Sequence, residues 1–259
     1  MKRIIIALLL VASIISLADT ASAQGISISS KGLSYNNDGN RESISVCTLV
    51  RRDKQKGAWV LGSASIIPFF ELGWNVMSTP DYSIYNGSDG NFFDLNSWKS
   101  TQVTVNLLNA SFRSRSRKVG VDMALGIRAN NYRLNGDISF TRVDGLVTPF
   151  EIEGNTKKSK FNVASLHIPV EFWVGKPNKV AFSIGGFVDM TMNSHTKIKF
   201  KGGKKHKEHN YPVNFIQAGV TARIKVKGIS IYGSYTPTSL FKTGRGPEMQ
   251  QWSFGIGIW

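Results

Sequence analysis

Ionisable side chains are spaced so that they could meet in one buried cluster. They occupy the polar positions of segments in which apolar and polar residues alternate: Glu71, Asp122, Arg128, His167, Glu171, Asp189, Arg223 and Lys225. Acids and bases nearly balance, and an isolated buried charge costs several kcal/mol, so buried charges must be paired. The spacing predicts a salt-bridged plug. The alternative is an acid–base site in which His167 is the base.

A second charged set lies in the basic segment 197–209. Its lysines are Lys197, Lys199, Lys201, Lys204, Lys205 and Lys207. The default interpretation is a solvated outer loop, and a sharper hypothesis is contact with the phosphates of lipopolysaccharide. His206 and His209 stand three residues apart, but the segment has no cysteine and only one nearby acid, Glu208. We therefore predict no metal site there.

Signals for catalysis are weak. Ser194 and His195 are adjacent, and neighbours in a strand point to opposite faces, so they cannot act together directly. The chain has no G-x-S-x-G motif and no P-loop. We predict no catalytic residue, no cofactor and no enzyme activity, with a lipid-modifying enzyme as an alternative.

The elements that must position these side chains are β-strands. Around the turn K-P-N-K at 176–179, apolar residues fall on every second position, which is typical of a hairpin. Eight segments have this character: 59–77, 98–112, 119–134, 161–175, 180–192, 211–227, 229–235 and 250–259. Pro68 lies inside the first of them, and because it cannot donate a ladder hydrogen bond we expect a bulge or kink there.

The connections between these segments alternate between long and short. The long ones are 78–97, 135–159, 202–210 and 237–249, and the short ones are 113–118, 176–179 and 227–228. An up-and-down barrel in an outer membrane produces this alternation, with short periplasmic turns and long outer loops. With eight strands, both mature termini fall on the periplasmic side.

Periodicity alone does not separate a membrane barrel from a soluble lipocalin-like barrel, in which the apolar face would be inside. Two features favour the membrane. The polar face is rich in Gly, Ser and Thr, which suit a crowded interior. Aromatic residues stand near strand ends, as an interfacial girdle requires: Trp59, Trp74, Trp98, Tyr132, Trp173, Tyr211 and Trp252. We predict an all-β, eight-stranded antiparallel up-and-down transmembrane β-barrel.

The N-terminal part has a different character. Residues 1–23 have a basic start, an apolar core and an A-x-A site, which indicates a signal peptide. Residues 24–57 are interpreted as a periplasmic extension or short hairpin, and 58–259 as the barrel. The formal charge is +15, which favours an anionic partner such as lipid phosphate or a polyanionic glycan. An exported chain without a binding motif is a poor candidate for nucleic acid.

The chain resembles the PorT-like outer-membrane β-barrel family of Bacteroidetes-type bacteria. The likeness rests on ALGIRANNYRL at 124–134 and ASLHIPVEFWVG at 164–175, and it covers roughly 57–259. It implies an eight-stranded barrel in the outer membrane of a Gram-negative cell and carries no catalytic residue. One relative takes part in protein secretion, so a place in a secretion machinery is one alternative.

The function predicted from these observations is a non-enzymatic outer-membrane barrel with a filled lumen and long outer loops. Its role would be in envelope structure, adhesion or binding. Transport of a small solute or lipid is a further alternative, which needs an open lumen. The expected partners are outer-membrane lipid, lipopolysaccharide and the barrel assembly machinery, for which the terminal aromatic Trp259 is a signal.

Overall fold

The computed structural model describes residues 65–85, 92–114, 118–153, 156–203 and 205–259 in full. For four further strands it describes the backbone alone: β1 Ile26–Ser29, β2 Gly32–Asn37, β3 Asn40–Ile44 and β4 Trp59–Gly62. Strands β1 to β3 pair in that order as a small antiparallel sheet. The predicted signal peptide 1–23 lies outside the described residues, as does Cys47.

The described residues also form eleven more strands and one 3-10 helix, Ser97–Lys99. The strands are β5 Phe70–Met77, β6 Thr101–Ser114, β7 Val119–Arg133, β8 Ile138–Val143, β9 Leu146–Glu151, β10 Thr156–Gly175, β11 Val180–Phe200, β12 Lys205–His209, β13 Ile216–Val226, β14 Ile229–Thr236 and β15 Gln251–Ile258. No helix among the described residues is long and apolar enough to cross a membrane.

Eight strands close into an antiparallel barrel. Their order is β10-β7-β6-β5-β15-β14-β13-β11, and β11 pairs back with β10 to complete the circle. The prediction of an eight-stranded up-and-down barrel is therefore confirmed. The alternation of long and short connections is also present, because β6–β7, β10–β11 and β13–β14 are joined by short turns, and β5–β6, β7–β10, β11–β13 and β14–β15 by long segments.

The long-connection end contains structure that the sequence reading did not predict. Strands β8 and β9 form a hairpin inside the segment 135–159, turning at Asp144 and Gly145, both with positive φ. An Asp-Gly pair is a strong hairpin signal because both residues tolerate that backbone region. Strand β12 extends the edge of β11, so much of the predicted basic loop is a β-hairpin.

The first predicted strand, 59–77, is interrupted more deeply than a bulge. Strand β4 pairs with the far end of β6 and β5 with its near end, while 65–69 leaves the ladder between them. This segment turns into the barrel, where Ile66 and Ile67 are fully buried. Pro68 cannot donate to the ladder, which explains why the chain leaves the sheet here.

The two faces of the barrel wall have opposite character. Outward side chains are apolar and exposed, as at Ile184 (66%), Ile231 (65%) and Phe254 (53%). Inward side chains at alternating positions are polar and buried, as in β13, where Gln217, Thr221 and Arg223 are at most 6% exposed. We refer to the exposed apolar outward face as the apolar belt. On β10 its residues from Leu166 to Val174 extend about 26 Å along the strand at the usual rise per residue.

Candidate functional site

Arg223 joins two acids in the centre of the barrel. Its Nη2 lies 2.6 Å from Oε1 of Glu71 and 3.0 Å from Oε1 of Glu171. The Nε atom also donates to Glu171, and Ser183 Oγ donates to the second carboxylate oxygen at 2.5 Å. All three charged side chains are at most 4% exposed. Each charge is therefore paired with an opposite one, as buried charges require, although Oε2 of Glu71 accepts no hydrogen bond.

A second group adjoins the first. Arg128 Nη1 lies 3.0 Å from Asp189 Oδ2, and its Nη2 lies 2.8 Å from His167 Nε2. His167 Nδ1 is 2.6 Å from Asp189 Oδ1. Arg128 Nη2 also lies 4.0 Å from Glu71, which links the two groups into one network of six ionisable side chains. Every ring nitrogen of His167 is therefore engaged with a neighbour.

Asp122 and Lys225 form no ion pair with this network, although Asp122 lies opposite Glu171 in the ladder. Asp122 accepts from Ser111 Oγ at 2.6 Å, Ser65 Oγ at 2.9 Å and Trp173 Nε1 at 2.8 Å, and from the amide of Ile66. Lys225 Nζ donates to the Ser65 carbonyl at 2.9 Å. Both residues thus anchor the inserted segment 65–69, which the sequence did not predict.

Above the charged network lies a layer of amides and hydroxyls. Gln251 Nε2 donates to Asn75 Oδ1 at 3.1 Å, and Asn75 Nδ2 donates to Asn130 Oδ1 at 3.1 Å. Gln102 Nε2 donates to Tyr232 OH at 3.1 Å. These residues fall on the alternate positions that carry polar side chains in their strands, so the sequence did indicate that they point inward. They are uncharged, however, and were not predicted as part of a site.

An aromatic cap fills the long-connection end of the barrel. Each of the four long connections contributes to it, and strand residues complete it: Phe92, Phe93, Phe140, Val147, Tyr211, Val213, Leu240, Phe241 and Met249, with Tyr132 and Phe161. Ring pairs are close, with Phe140 and Phe161 centroids 5.1 Å apart. Burial raises the pKa of Tyr211, whose hydroxyl lies 2.7 Å from the Phe140 carbonyl. The cap therefore closes the lumen above the polar layers.

Glycines give the large inward side chains their space. A Cβ at Gly120 would lie 2.5 Å from the Trp173 ring, and one at Gly73 would lie 2.5 Å from Tyr232 OH. These distances are far shorter than ordinary contacts between side chains, so the glycines are required where Trp173 and Tyr232 lie. The small residues predicted for the interior therefore leave room for the large side chains that point into it.

The predicted aromatic girdle is partly wrong. Trp74, Trp98 and Trp252 are exposed, but Tyr132, Trp173 and Tyr211 are at most 6% exposed and belong to the interior. Tyr132 lies four residues from Arg128 on β7, and Trp173 lies two residues from Glu171 on β10. Because alternate residues of a strand point to the same face, both aromatic side chains point inward whatever their residue type. The side chain of Trp59 lies outside the described residues.

The predicted basic loop is distributed over two strands and their turn. Lys197 and Lys199 belong to β11, Lys205 and Lys207 to β12, and Lys201 to the turn, while Lys204 lies outside the described residues. His209 pairs with His195 across the ladder, and His206 pairs with Ile198. Among the described residues, no group of three or more His, Cys, Asp or Glu side chains could hold a metal ion.

Together, the fold and the lumen define a closed eight-stranded β-barrel with an apolar exterior and an interior filled by side chains. No protein-family model matches the chain, and no curated protein matches it. The chain is similar to a crystal structure of Ail, the attachment invasion locus protein of Yersinia pestis, with 12% identity, covering 73% of this chain and 93% of that one, at a TM-score of 0.31. A structure of Ail in complex with the heparin analogue sucrose octasulfate gives 12% identity, 73% and 94% coverage, and a TM-score of 0.32.

Proposed function

We propose that this protein is a non-enzymatic integral outer-membrane β-barrel that acts in envelope structure or binding through its outer end. The observation that carries the proposal is the apolar belt, which encircles a polar interior. On the two adjacent strands β13 and β14, Ile216, Val220, Ile224 and Ile231 are each about half exposed or more. Contiguous apolar surface of this extent is unfavourable in water and is expected where a barrel meets acyl chains.

A soluble barrel of the lipocalin kind is the competing architecture, and the distribution of charge argues against it. Such a barrel would place its apolar side chains within and its ionised ones outside. Here Glu171 is fully buried while Ile184 of the neighbouring strand is 66% exposed. The polar and apolar faces are thus inverted relative to a soluble barrel.

The filled lumen supports a structural or binding role over transport. A transporter needs a continuous aqueous path, whereas the segment 65–69, the charged network, the amide layer and the aromatic cap lie one above another within the barrel. The engagement of His167 with Arg128 and Asp189 likewise argues against an acid–base site, because both ring nitrogens already have partners.

The proposal assigns the long connections to the cell exterior and both mature termini to the periplasm. Its partners are outer-membrane lipid, lipopolysaccharide and, during insertion, the barrel assembly machinery. Membership of the PorT-like family is part of the same proposal and rests on the sequence resemblance alone. No described feature favours a secretion role over a general envelope role.

The decisive experiment measures lipid exposure of the belt. After Cys47→Ser removes the natural thiol, a nitroxide at Val220→Cys or Ile231→Cys should be relaxed by a lipid-soluble quencher, and one at Lys176→Cys in a short turn by a water-soluble one. Outer-membrane fractionation with heat-modifiable migration, and the absence of a large steady conductance in planar bilayers, are the expected companion results. Belt labels reached mainly by the water-soluble quencher would overturn the proposal.

A further inference from the structure

Cationic side chains form two registered rows on the outer face of the barrel. In the first row, Arg133 of β7 lies opposite Lys160 of β10, Lys160 opposite Lys197 of β11, and Lys197 opposite Lys207 of β12. In the second row, Lys199 lies between Lys158 and Lys205. We call these seven residues the cationic face.

This arrangement repels itself. Neighbouring strands are about 4.8 Å apart, so the four residues of the first row span only about 14 Å. Like charges directly opposite one another on adjacent strands are destabilising. Within the part of the chain that the structure describes, the nitrogen atoms of these residues form no ion pair. Lys160 Nζ donates to Asn131 Oδ1 at 3.0 Å and Arg133 Nη2 to the Lys157 carbonyl at 2.9 Å, both uncharged acceptors.

A surface groove lies at one end of the cationic face. It has a volume of about 330 Å³ and is lined by Lys99, Thr101, Asn131, Arg133, Lys158 and Lys160. All its charged lining residues are cations, and the remaining side chains are a hydroxyl and an amide. Such a lining suits an oxyanion that takes several charge-assisted hydrogen bonds, as a phosphate does.

The cationic face stands directly above the apolar belt on the same strands. Outward positions of β10 run from Val174 through Leu166, which are apolar, to Asn162, Lys160 and Lys158. The opposing strand β11 changes in the same way, from Val180 and Ile184 to Lys197 and Lys199. The cations therefore face sideways, toward whatever surrounds the barrel just beyond the acyl-chain region, and not toward its mouth.

We propose that the cationic face binds the phosphate groups of lipopolysaccharide in the surrounding outer leaflet. The inference rests on the proposed outer-membrane function and adds a defined site to it. A phosphorylated lipid meets the barrel laterally, at the height where the strands change from apolar to cationic. A soluble polyanion would approach from the medium and has no reason to require this continuity with the belt. Phosphate bound between opposed lysines removes the repulsion that the bare rows carry.

The test compares two variants of equal charge. Lys160→Gln/Lys197→Gln/Lys207→Gln neutralises the three lysines of the first row and leaves Arg133, and Lys118→Gln/Lys176→Gln/Lys179→Gln neutralises three exposed lysines at the short-turn end. Each protein, refolded in neutral detergent, is titrated with fluorescent rough lipopolysaccharide, with its dephosphorylated form and with heparin. Because a cation near an anionic lipid surface contributes about fivefold in affinity, the row variant should bind lipopolysaccharide roughly a hundredfold more weakly. The short-turn variant should bind as the wild type does.

A second measurement separates binding from folding. Without lipopolysaccharide, the row variant should melt at a higher temperature than the wild type, since opposed like charges have been removed. With lipopolysaccharide, the wild type should gain more thermal stability than the variant.

Several results would overturn the site. Equal weakening by both triple variants would reduce the effect to net charge, and equal binding of dephosphorylated lipopolysaccharide would exclude phosphate recognition. Binding of heparin without binding of lipopolysaccharide would assign the face to a soluble polyanion. If the wild type inserts into phosphatidylcholine bilayers but ignores lipopolysaccharide, only this inference fails; if it does not insert at all, the proposed function fails with it.

Discussion

Nη2 of Arg128 lies 2.8 Å from Nε2 of His167, inside the barrel. A guanidinium group has only donors, so Nε2 must accept and the proton of the neutral ring must be on Nδ1. There it donates to Asp189 Oδ1 at 2.6 Å. His167 is thus a neutral bridge between a base and an acid. Nitrogen NMR of labelled protein should show the neutral Nδ1–H tautomer near pH 7; a doubly protonated ring would contradict it.

Replacing His167 tests the bridge. His167→Phe keeps a ring in place but leaves Asp189 and Arg128 each short of one buried hydrogen bond, so the free energy of unfolding should fall by about 1–3 kcal/mol. His167→Gln can still donate and accept and should lose less. Denaturant unfolding in detergent measures both. A loss from His167→Gln as large as that from His167→Phe would show that ring packing against Phe187 matters more than the bridge.

Arg223 forms ion pairs with two buried acids, Glu71 and Glu171. Arg223→Met leaves Glu71 and Glu171 buried together without their cation, and breaking a buried pair in this way costs about 3–5 kcal/mol. Arg142→Met, in an exposed hairpin strand, removes one hydrogen bond to a carbonyl and should cost at most about 1.5 kcal/mol. Urea unfolding of both variants gives the comparison.

The triple variant Glu71→Gln/Glu171→Gln/Arg223→Met separates charge from shape. If unpaired charge causes the loss, removing both acids should recover part of the stability that Arg223→Met loses. No recovery would mean that the guanidinium acts mainly by filling space, for example against the Tyr232 ring, which lies 5.3 Å from it.

Gly120 tests how tightly the interior is packed. A Cβ there would lie 2.5 Å from the Trp173 ring and 2.5 Å from the Phe112 carbonyl oxygen. Gly120→Ala should therefore displace Trp173 from Asp122 and destabilise the barrel by about 1–3 kcal/mol. Gly233→Ala is the matched control, since its Cβ would meet the Phe254 ring at an ordinary 3.5 Å. Trp fluorescence and the unfolding midpoint of each variant decide; equal effects would contradict the packing argument.

The barrel could be predicted from the sequence because two independent patterns indicate it. Alternation identified the strands, and the connection lengths identified their up-and-down order; the structure has both. The same alternation placed Glu71, Glu171 and Arg223 on one face. Which acid pairs with which base could not be predicted, because Glu71 and Arg223 are 152 residues apart in the sequence and meet only when the barrel closes.

Three features were not predicted from the sequence. Two of them lie outside the strands, where side chains do not alternate between faces, and the third was predicted against that alternation. The segment 65–69 leaves the ladder, so its inward path has no periodic signature. The aromatic cap is built from irregular connections, whose long-range packing has no local pattern. Tyr132 and Trp173 were assigned to a girdle because they are aromatic. Their positions in the alternation of the strand direct them into the barrel, and it is this position that decides the face.

Tyr211 provides a pH test of the aromatic cap. Burial raises its pKa, and the neutral hydroxyl lies 3.0 Å from Glu208 Oε2 as well as near the Phe140 carbonyl. Because the folded pKa lies above the unfolded value of about 10, the contribution of this group to stability is complete below pH 10 and is lost as the pH rises through the folded pKa. Tyr211→Phe removes the titrating group, so stability should decline less steeply above pH 10 in the variant. Ultraviolet absorbance at alkaline pH should show one tyrosine fewer among those that ionise late. If Tyr211→Phe leaves both the alkaline decline and the titration unchanged, the hydroxyl is not held neutral in the cap.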